Sequence, residues 1–228
     1  MLTSLALTAA AVGVAGHGAF HRNSPLFGSA LGRLPTDAPE VALTFDDGPN
    51  PVATPRILDA LREEGVRATF FLLGKHVERW PTLSERVLVD GHALGNHGFH
   101  HRMLQFRGPG YVRDDLTRGT AAITQATGGK PAFFRAPHGF RNPWVNRVAR
   151  RLGQRTIGWT LGVWDSSRPG ADVIARRAID GAKPGTILLL HDGDGYDAAG
   201  DRTQTADALV TIIRGLRSRG FSFAPLPA

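Results

Sequence analysis

The sequence predicts an α/β fold, a distorted (β/α) barrel with about seven parallel strands. Three observations predict it. From Glu40 onward short apolar runs alternate with helix-like segments, several of those segments close on a glycine, and polar residues able to do chemistry follow the apolar runs. Strands separated by helices of this length pair in parallel, and in such a barrel the active site lies at the C-terminal strand ends.

The 228 residues, 42% apolar and 21% charged, suit one folded domain with a substantial core and a short extension. The opening stretch "MLTSLALTAAAVGVAG" has no charged side chain before Arg22. It falls short of the ~20 residues a membrane span needs and lacks a positive start, yet "VAG" (14–16) fits a small-residue cleavage site. Residues 1–22 are therefore expected to be an apolar signal peptide or membrane anchor. Residues 23–39, with Gly and Pro, read as a linker, and residues 40–228 as the folded domain.

The elements follow in order. "VALTF" (41–45) reads as the first strand and "TPRILDALREEG" (54–65) as the helix after it, with Ile57, Leu58 and Leu61 on one face. "ATFFLLG" (68–74) is a strand, a helix ends around Asp90, and "HALGN" (92–96) is a strand. Next come a helix over 111–128, a strand over 132–137, and a helix over 143–153 with Pro143 where a first helical residue stands. "RTIGWTLG" (155–162) reads as one strand, 171–181 as a helix, and "TILLLHD" (186–192) as a strand. The helix over 205–220 places Leu209, Ile212, Ile213 and Leu216 together, and "FSFAPL" (221–226) is the last strand.

The net charge of +7 favours anionic surfaces. The basic residues are scattered or lie in helix-like stretches, with no dense Lys/Arg tail and no aromatic-basic alternation, so no nucleic-acid partner is predicted. There are no cysteines, which excludes disulfides, thiolate metal sites and a cysteine nucleophile. Nothing in the sequence reports on oligomeric state.

The polar residues after the strands are Asp46-Asp47, His97 with His101, Arg135, Asp165 and His191. Singly each reads as a turn, a cap or a structural histidine. Together they fall on one rim. His97 and His101 stand at i, i+4 and share a face if that segment is helical, while His97/His100 is a competing spacing. Two imidazoles and a carboxylate suit Zn²⁺. Adjacent carboxylates in a strand point to opposite faces, so one of Asp46 and Asp47 can ligate a metal while the other takes a proton from water.

"TFDDGP" (44–49), "NHGFHH" (96–101), "FRAPHG" (134–139), "WTLGVWD" (159–165) and "LLLHD" (188–192) resemble the five ordered motifs of the polysaccharide deacetylases, carbohydrate esterase family four, also called the NodB homology domain. The resemblance covers about residues 40 to 226 and makes 40–228 the catalytic domain. It implies a hydrolase that removes N-acetyl groups from amino sugars of a glycan (peptidoglycan, chitin-like or exopolysaccharide). Asp47, His97 and His101 would hold a divalent metal, Zn²⁺ first, with Co²⁺ and Mn²⁺ as alternatives. Asp46 would be the base, and Arg135 would orient it and place positive charge beside it. The backbone N–H of His138 would stabilise the oxyanion, Leu189 would line the pocket for the methyl group, and His191 would be the acid, held by Asp165.

Four positions depart from the family pattern: Gly98 stands for a Ser or Thr, His138 for a Tyr, Gly162 for an Asp, and Ser166 for the Trp that walls the groove. A lipid-linked or small N-acylated amino sugar is the alternative substrate, and a silent glycan-binding domain the third reading. The catalytic domain is expected to be exported or membrane-anchored on the extracytoplasmic side, with membrane association through the N-terminus. The loop "HDGDGYDAAGDRTQTA" (191–206), rich in aspartate, fails the EF-hand pattern and reads as a solvated loop beside the rim.

Overall fold

A computed structural model of the chain describes residues 12–227. At its centre lies β1 (Glu40–Asp46), buried at every position from Val41 onward. A strand apolar on both faces needs neighbours along both edges and cover above and below. β1 pairs in parallel with β2 (Thr69–Leu72) and with β7 (Thr186–His191). Beyond β2 come β3 (Ala93–Asn96), β4 (Phe133–Phe134) and β5 (Arg155–Thr156), and beyond β7 comes β6 (Leu161–Gly162). The order β5-β4-β3-β2-β1-β7-β6 is parallel throughout and curls into a half-barrel, the distorted barrel the alternation predicts. A short β8 (Ser222–Phe223) pairs with the start of β1, so the sheet has eight strands.

The expected single strand over 155–162 is corrected: it is two short strands at opposite edges of the sheet. The chain leaves β5, crosses the open side of the half-barrel through Ile157–Thr160, and enters β6 beside β7. An apolar run carries the same pattern whether it runs along a sheet or across its gap.

The helices are α1 over residues 12–20, α2 (Ala53–Glu63), α3 (Gly74–Arg79), α4 (Pro81–Val89), α5 (Pro109–Thr127), α6 (Pro143–Arg151), α7 (Ala171–Gly181) and α8 (Thr203–Ser218). The predicted helical faces are the buried ones: Ile57, Leu58 and Leu61 of α2 join Leu209, Ile212, Ile213 and Leu216 of α8 in one core with β1 and β2. Pro143 opens α6, where Asn142 caps the helix by accepting from the Trp144 N–H at 3.0 Å. Gly128 ends α5 at φ 71°, a left-handed cap that costs glycine no Cβ strain.

The signal peptide or anchor expected over residues 1–22 lies partly outside the described residues. Among the described residues no helix is long and apolar enough to cross a membrane. The stretch expected as a linker packs against the domain. Leu31 bridges to Ile157, its N–H donating to the Thr156 carbonyl at 3.0 Å and its carbonyl accepting from Gly158 at 2.9 Å. Leu34 is buried and its N–H donates to the Gly185 carbonyl at 2.8 Å. Residues 19–34 thus lie along the β5–β6 crossing and cover the gap in the half-barrel.

Arg141, 1% exposed, holds this segment by donating to the carbonyls of Gly28, Arg22 and Ser24 at 3.1, 3.2 and 2.7 Å. Replacing it by glutamine leaves buried carbonyls without donors. The variant is expected to lose about 3 kcal/mol of unfolding free energy in urea denaturation. A loss under about 0.5 kcal/mol would show that the segment is held by its other contacts.

Candidate active site

Asp46 is the last residue of β1, and Asp47 leaves the strand at φ 73°. That backbone turn corrects the expectation that adjacent carboxylates face apart: both carboxylates, 3% and 5% exposed, line one cleft of about 680 Å³ at the C-terminal ends of the strands. Asp47 is held in its left-handed conformation by its own carbonyl, which accepts from His76 Nδ1 at 2.8 Å. His76 is buried in α3, and no motif in the sequence pointed to it.

Thr44 and Asp46 alternate onto the same face of β1. Arg135, 0% exposed, reaches both from the end of β4, its Nη1 donating to Thr44 Oγ1 at 2.8 Å and to Asp46 Oδ1 at 2.7 Å. Its Nη2 donates to the Gly158 carbonyl at 2.8 Å, and the guanidinium lies over the Phe71 ring at 4.1 Å. Removing a charged group of this size from water is offset only when its donors are matched and its charge is paired. Asp46 supplies the pair.

His97 and His101 meet at Asp47, but not through a helix. Residues 97–103 form an irregular loop after β3, and His101 sits at φ 57°. The helical premise behind the pair is corrected, although the pair itself forms. His100 is exposed, with its N–H donating to Asp115 Oδ1 at 3.1 Å, and takes no part. Ligand atoms of Asp47, His97 and His101 all lie within 4.8 Å of one another.

Their chemistry fits a divalent cation. His97 Nδ1 donates to the Arg135 carbonyl at 2.8 Å, which leaves Nε2 bare in the neutral ring. That nitrogen faces Asp47 Oδ1 at 3.4 Å and His101 Nε2 faces it at 3.1 Å, while this buried oxygen receives no hydrogen bond among the described residues. Burial pushes His101 down to about 3 against the opposing pull of Asp47, which leaves the ring neutral and able to ligate. Three lone pairs converging in a buried site are matched by a cation.

Across the cleft, His191 ends β7. Its Nδ1 donates to Asp165 Oδ1 at 2.9 Å, and its backbone N–H donates to Asp165 Oδ2 at 2.7 Å. Thr205 of α8 donates to the same Oδ2 at 2.9 Å, a partner no motif signalled. Burial opposes the charged ring, and the Asp165 carboxylate overrides it, so His191 is pushed up to about 9. Leu189, 8% exposed, lines the cleft between the two sides.

Three of the departures have visible consequences. Gly98 sits at φ 80°, and a Cβ there would meet Asp115 Oδ2 at 2.6 Å. Asp115, from α5, holds the loop instead: it accepts from the Phe99 N–H at 3.0 Å and from His100, while Asn96 Oδ1 accepts from the Gly98 N–H at 2.8 Å. The missing hydroxyl is thus replaced by a carboxylate seventeen positions away in sequence, and Gly98 is required by it. His138, at φ 59°, stacks edge-on against His101 with ring centroids 4.7 Å apart and hydrogen-bonds Tyr196 Oη at 3.1 Å. Its ring stays outside the cluster of Asp47, His97 and His101. With Ser166 in the tryptophan's place, Trp159 and Trp164 both line the cleft.

Most of the aspartate-rich loop is satisfied by its own neighbours, but buried Asp192 Oδ1 receives no hydrogen bond among the described residues. Asp194 Oδ2 accepts from Arg202 at 2.8 Å, and Asp201 accepts from the Thr203 N–H at 2.8 Å. Asp192 is fully buried beside the Asp47–Gly48 turn, and Thr54 Oγ1 donates to its Oδ2 at 2.6 Å. Burial raises its carboxyl to about 7, against the Thr54 bond.

A parallel half-barrel with a buried Asp-His-His group between two braced ionisable side chains has the make-up of a hydrolase with a place for one metal ion. The comparisons agree. The family model described as polysaccharide deacetylase matches residues 33–157. A chitooligosaccharide deacetylase of Azorhizobium caulinodans is 35% identical over 202 residues, covering 86% of this chain and 96% of that protein. A peptidoglycan-N-acetylglucosamine deacetylase of Bacillus cereus is 35% identical over 195 residues, covering 83% and 87%. Among solved structures, a peptidoglycan N-acetylglucosamine deacetylase superposes with a TM-score of 0.81 at 32% identity, covering 87% of this chain and 91% of that one. A CE4 family pseudoenzyme from Bacillus anthracis gives 0.78 at 28%, covering 89% and 68%. The chain belongs to the polysaccharide deacetylase family.

Proposed function

We propose that the protein removes N-acetyl groups from amino sugars of a glycan by attack of water on the acetamide carbonyl. The carrying observation is that Asp46 braced by Arg135 and His191 braced by Asp165 line the same cleft as Asp47, His97 and His101. Those three would hold a divalent ion, Zn²⁺ first and Co²⁺ or Mn²⁺ after it, which when bound supplies a Lewis acid and eases deprotonation of water. Asp46 takes the proton from the attacking water. The His138 N–H donates to the oxyanion, and Leu189 packs against the acetyl methyl. His191 gives its proton to the sugar nitrogen as the C–N bond breaks.

A glycan substrate is supported by the relatives, which are chitooligosaccharide and peptidoglycan deacetylases, and by the rim. Trp164 and Tyr196 stand 73% and 68% exposed there, as flat faces for sugar rings. We propose that the domain works outside the cytoplasm, exported or anchored by its apolar start. The retained Asp46, Arg135, Asp165 and His191 argue against a silent glycan-binding domain, since mere binding requires no braced base facing a braced acid. The test is acetate release from an N-acetylglucosamine oligomer. Release is expected to stop with a chelator and return with Zn²⁺ or Co²⁺. Release that survives exhaustive chelation would exclude the metal-assisted reaction, and no release with metal bound would exclude this substrate.

A further inference from the structure

The geometry points to Arg22 as a specificity-determining residue that binds an anionic substituent, a carboxylate or phosphate, on the amino sugar presented to the cleft. This rests on the deacetylase reading of the same site and narrows its substrate. Arg22 belongs to the segment that precedes both the five motifs and the matched family region, yet Phe20, His21 and Arg22 line the catalytic cleft with Asp46, His101 and His191.

The placement is built. The Ala19 carbonyl accepts from the Arg141 N–H at 3.0 Å, and Arg141 grips the carbonyls of Arg22, Ser24 and Gly28 from below. Asn23 Nδ2 and Arg22 Nε both donate to the Trp159 carbonyl at 3.0 Å, and the Arg22 guanidinium lies 5.1 Å from the centre of the Trp159 ring. Its Nη2 reaches the Thr160 carbonyl at 3.4 Å, and its Nη1 makes no hydrogen bond to a described residue. The head group is therefore aimed while keeping a free donor.

The charges lining the cleft leave it unmatched. Asp46 faces Arg135, Asp165 faces His191, Asp194 faces Arg202, and Asp47 faces the two histidines. Among the described residues no carboxylate lies within ion-pair distance of Arg22. Burial lowers its pKa with no carboxylate to offset it. A half-buried arginine with an open donor, in the cleft that Phe20 and Trp159 also line, matches an acidic group borne by a sugar. A neutral oligomer leaves it without a partner.

The test uses the full chain loaded with Zn²⁺. Three substrates are compared: a neutral N-acetylglucosamine oligomer, an oligomer alternating N-acetylglucosamine with lactyl-bearing N-acetylmuramic acid, and N-acetylglucosamine 1-phosphate. Arg22→Gln is expected to raise KM for the anionic substrates about tenfold more than for the neutral oligomer, and to be largely rescued by Arg22→Lys. Whether the carboxylate or the phosphate arm shows the loss identifies the group. An equal loss on neutral and anionic substrates would overturn the proposal in favour of a purely positioning role for Trp159 and Thr160. Equal binding of neutral and anionic sugars by the wild type would overturn it outright. Titration calorimetry with the same sugars separates it from the parent reading: an anionic preference that Arg22→Gln abolishes upholds Arg22 even if no acetate is released. If Arg22→Gln does not fold, Arg22→Met, which keeps the apolar stem without the charge, decides: a lost anionic preference upholds the proposal and an unchanged one overturns it.

Discussion

Replacing Asp46 by asparagine is expected to leave metal binding intact and to lower turnover by ~10² or more. The substitution keeps an Oδ1 to accept the 2.7 Å hydrogen bond from Arg135, so the side chain stays in place and the cluster of Asp47, His97 and His101 is untouched. What disappears is an oxygen able to take a proton from the attacking water. The amide cannot serve, because its second terminal atom is a donor. The paired variant behaves oppositely: Asp47→Asn withdraws the one charged oxygen that both imidazoles face, at 3.4 and 3.1 Å, and is expected to lose the metal together with the activity. Metal content and kcat measured on the two variants decide the roles. Loss of metal from the Asp46 variant with retention in the Asp47 variant would reverse the assignment.

The two aspartates also show how much of the site was legible in the sequence. Their adjacency after an apolar run, with histidines and an arginine following later runs, located the rim because strand ends of a parallel barrel share one side. The local geometry was not legible. Asp47 faces its neighbour's cleft only because its φ is 73°, and that conformation is stabilised by His76, a residue with no motif of its own. The histidine pair was found through a helical spacing, yet an irregular loop delivers it, held by Asp115 from α5. Gly98 looked like a loss when read against the family pattern. Its reason lies in the space Asp115 occupies, and sequence order does not reveal who occupies a space.

The fold divides in the same way. Helical faces such as Ile57-Leu58-Leu61 were legible because periodicity is a local property, and they are the buried faces. The crossing at 155–162 was not, because splitting that run into β5 and β6 depends on where the sheet ends. The N-terminal segment was illegible for a related reason. Its contacts are largely backbone carbonyls gripped by Arg141, and a carbonyl leaves no mark on residue identity.

The largest pH effect is expected on the acid side of the cleft. Burial alone disfavours the imidazolium of His191, and the Asp165 carboxylate reverses that and holds the ring up to about 9. The acid is thus protonated at neutral pH, and kcat is expected to fall on the alkaline side as that proton is lost. In Asp165→Asn the opposing charge is gone while the burial remains, so the ring falls to the ordinary histidine value of ~6.5 or lower. Near pH 8 only a few per cent of the variant then carries the proton, and turnover drops roughly 30-fold, while near pH 6 the gap narrows to a few-fold. The stability sign follows from the same shift. A folded-state pKa raised above the unfolded value contributes stability that is complete below ~6.5 and is lost as pH rises through about 9, so the wild type weakens across that window and the variant does not. A pH–rate profile and denaturation at the two ends of the window check both. An alkaline limb that stays in place in the variant would remove His191 from the role of acid.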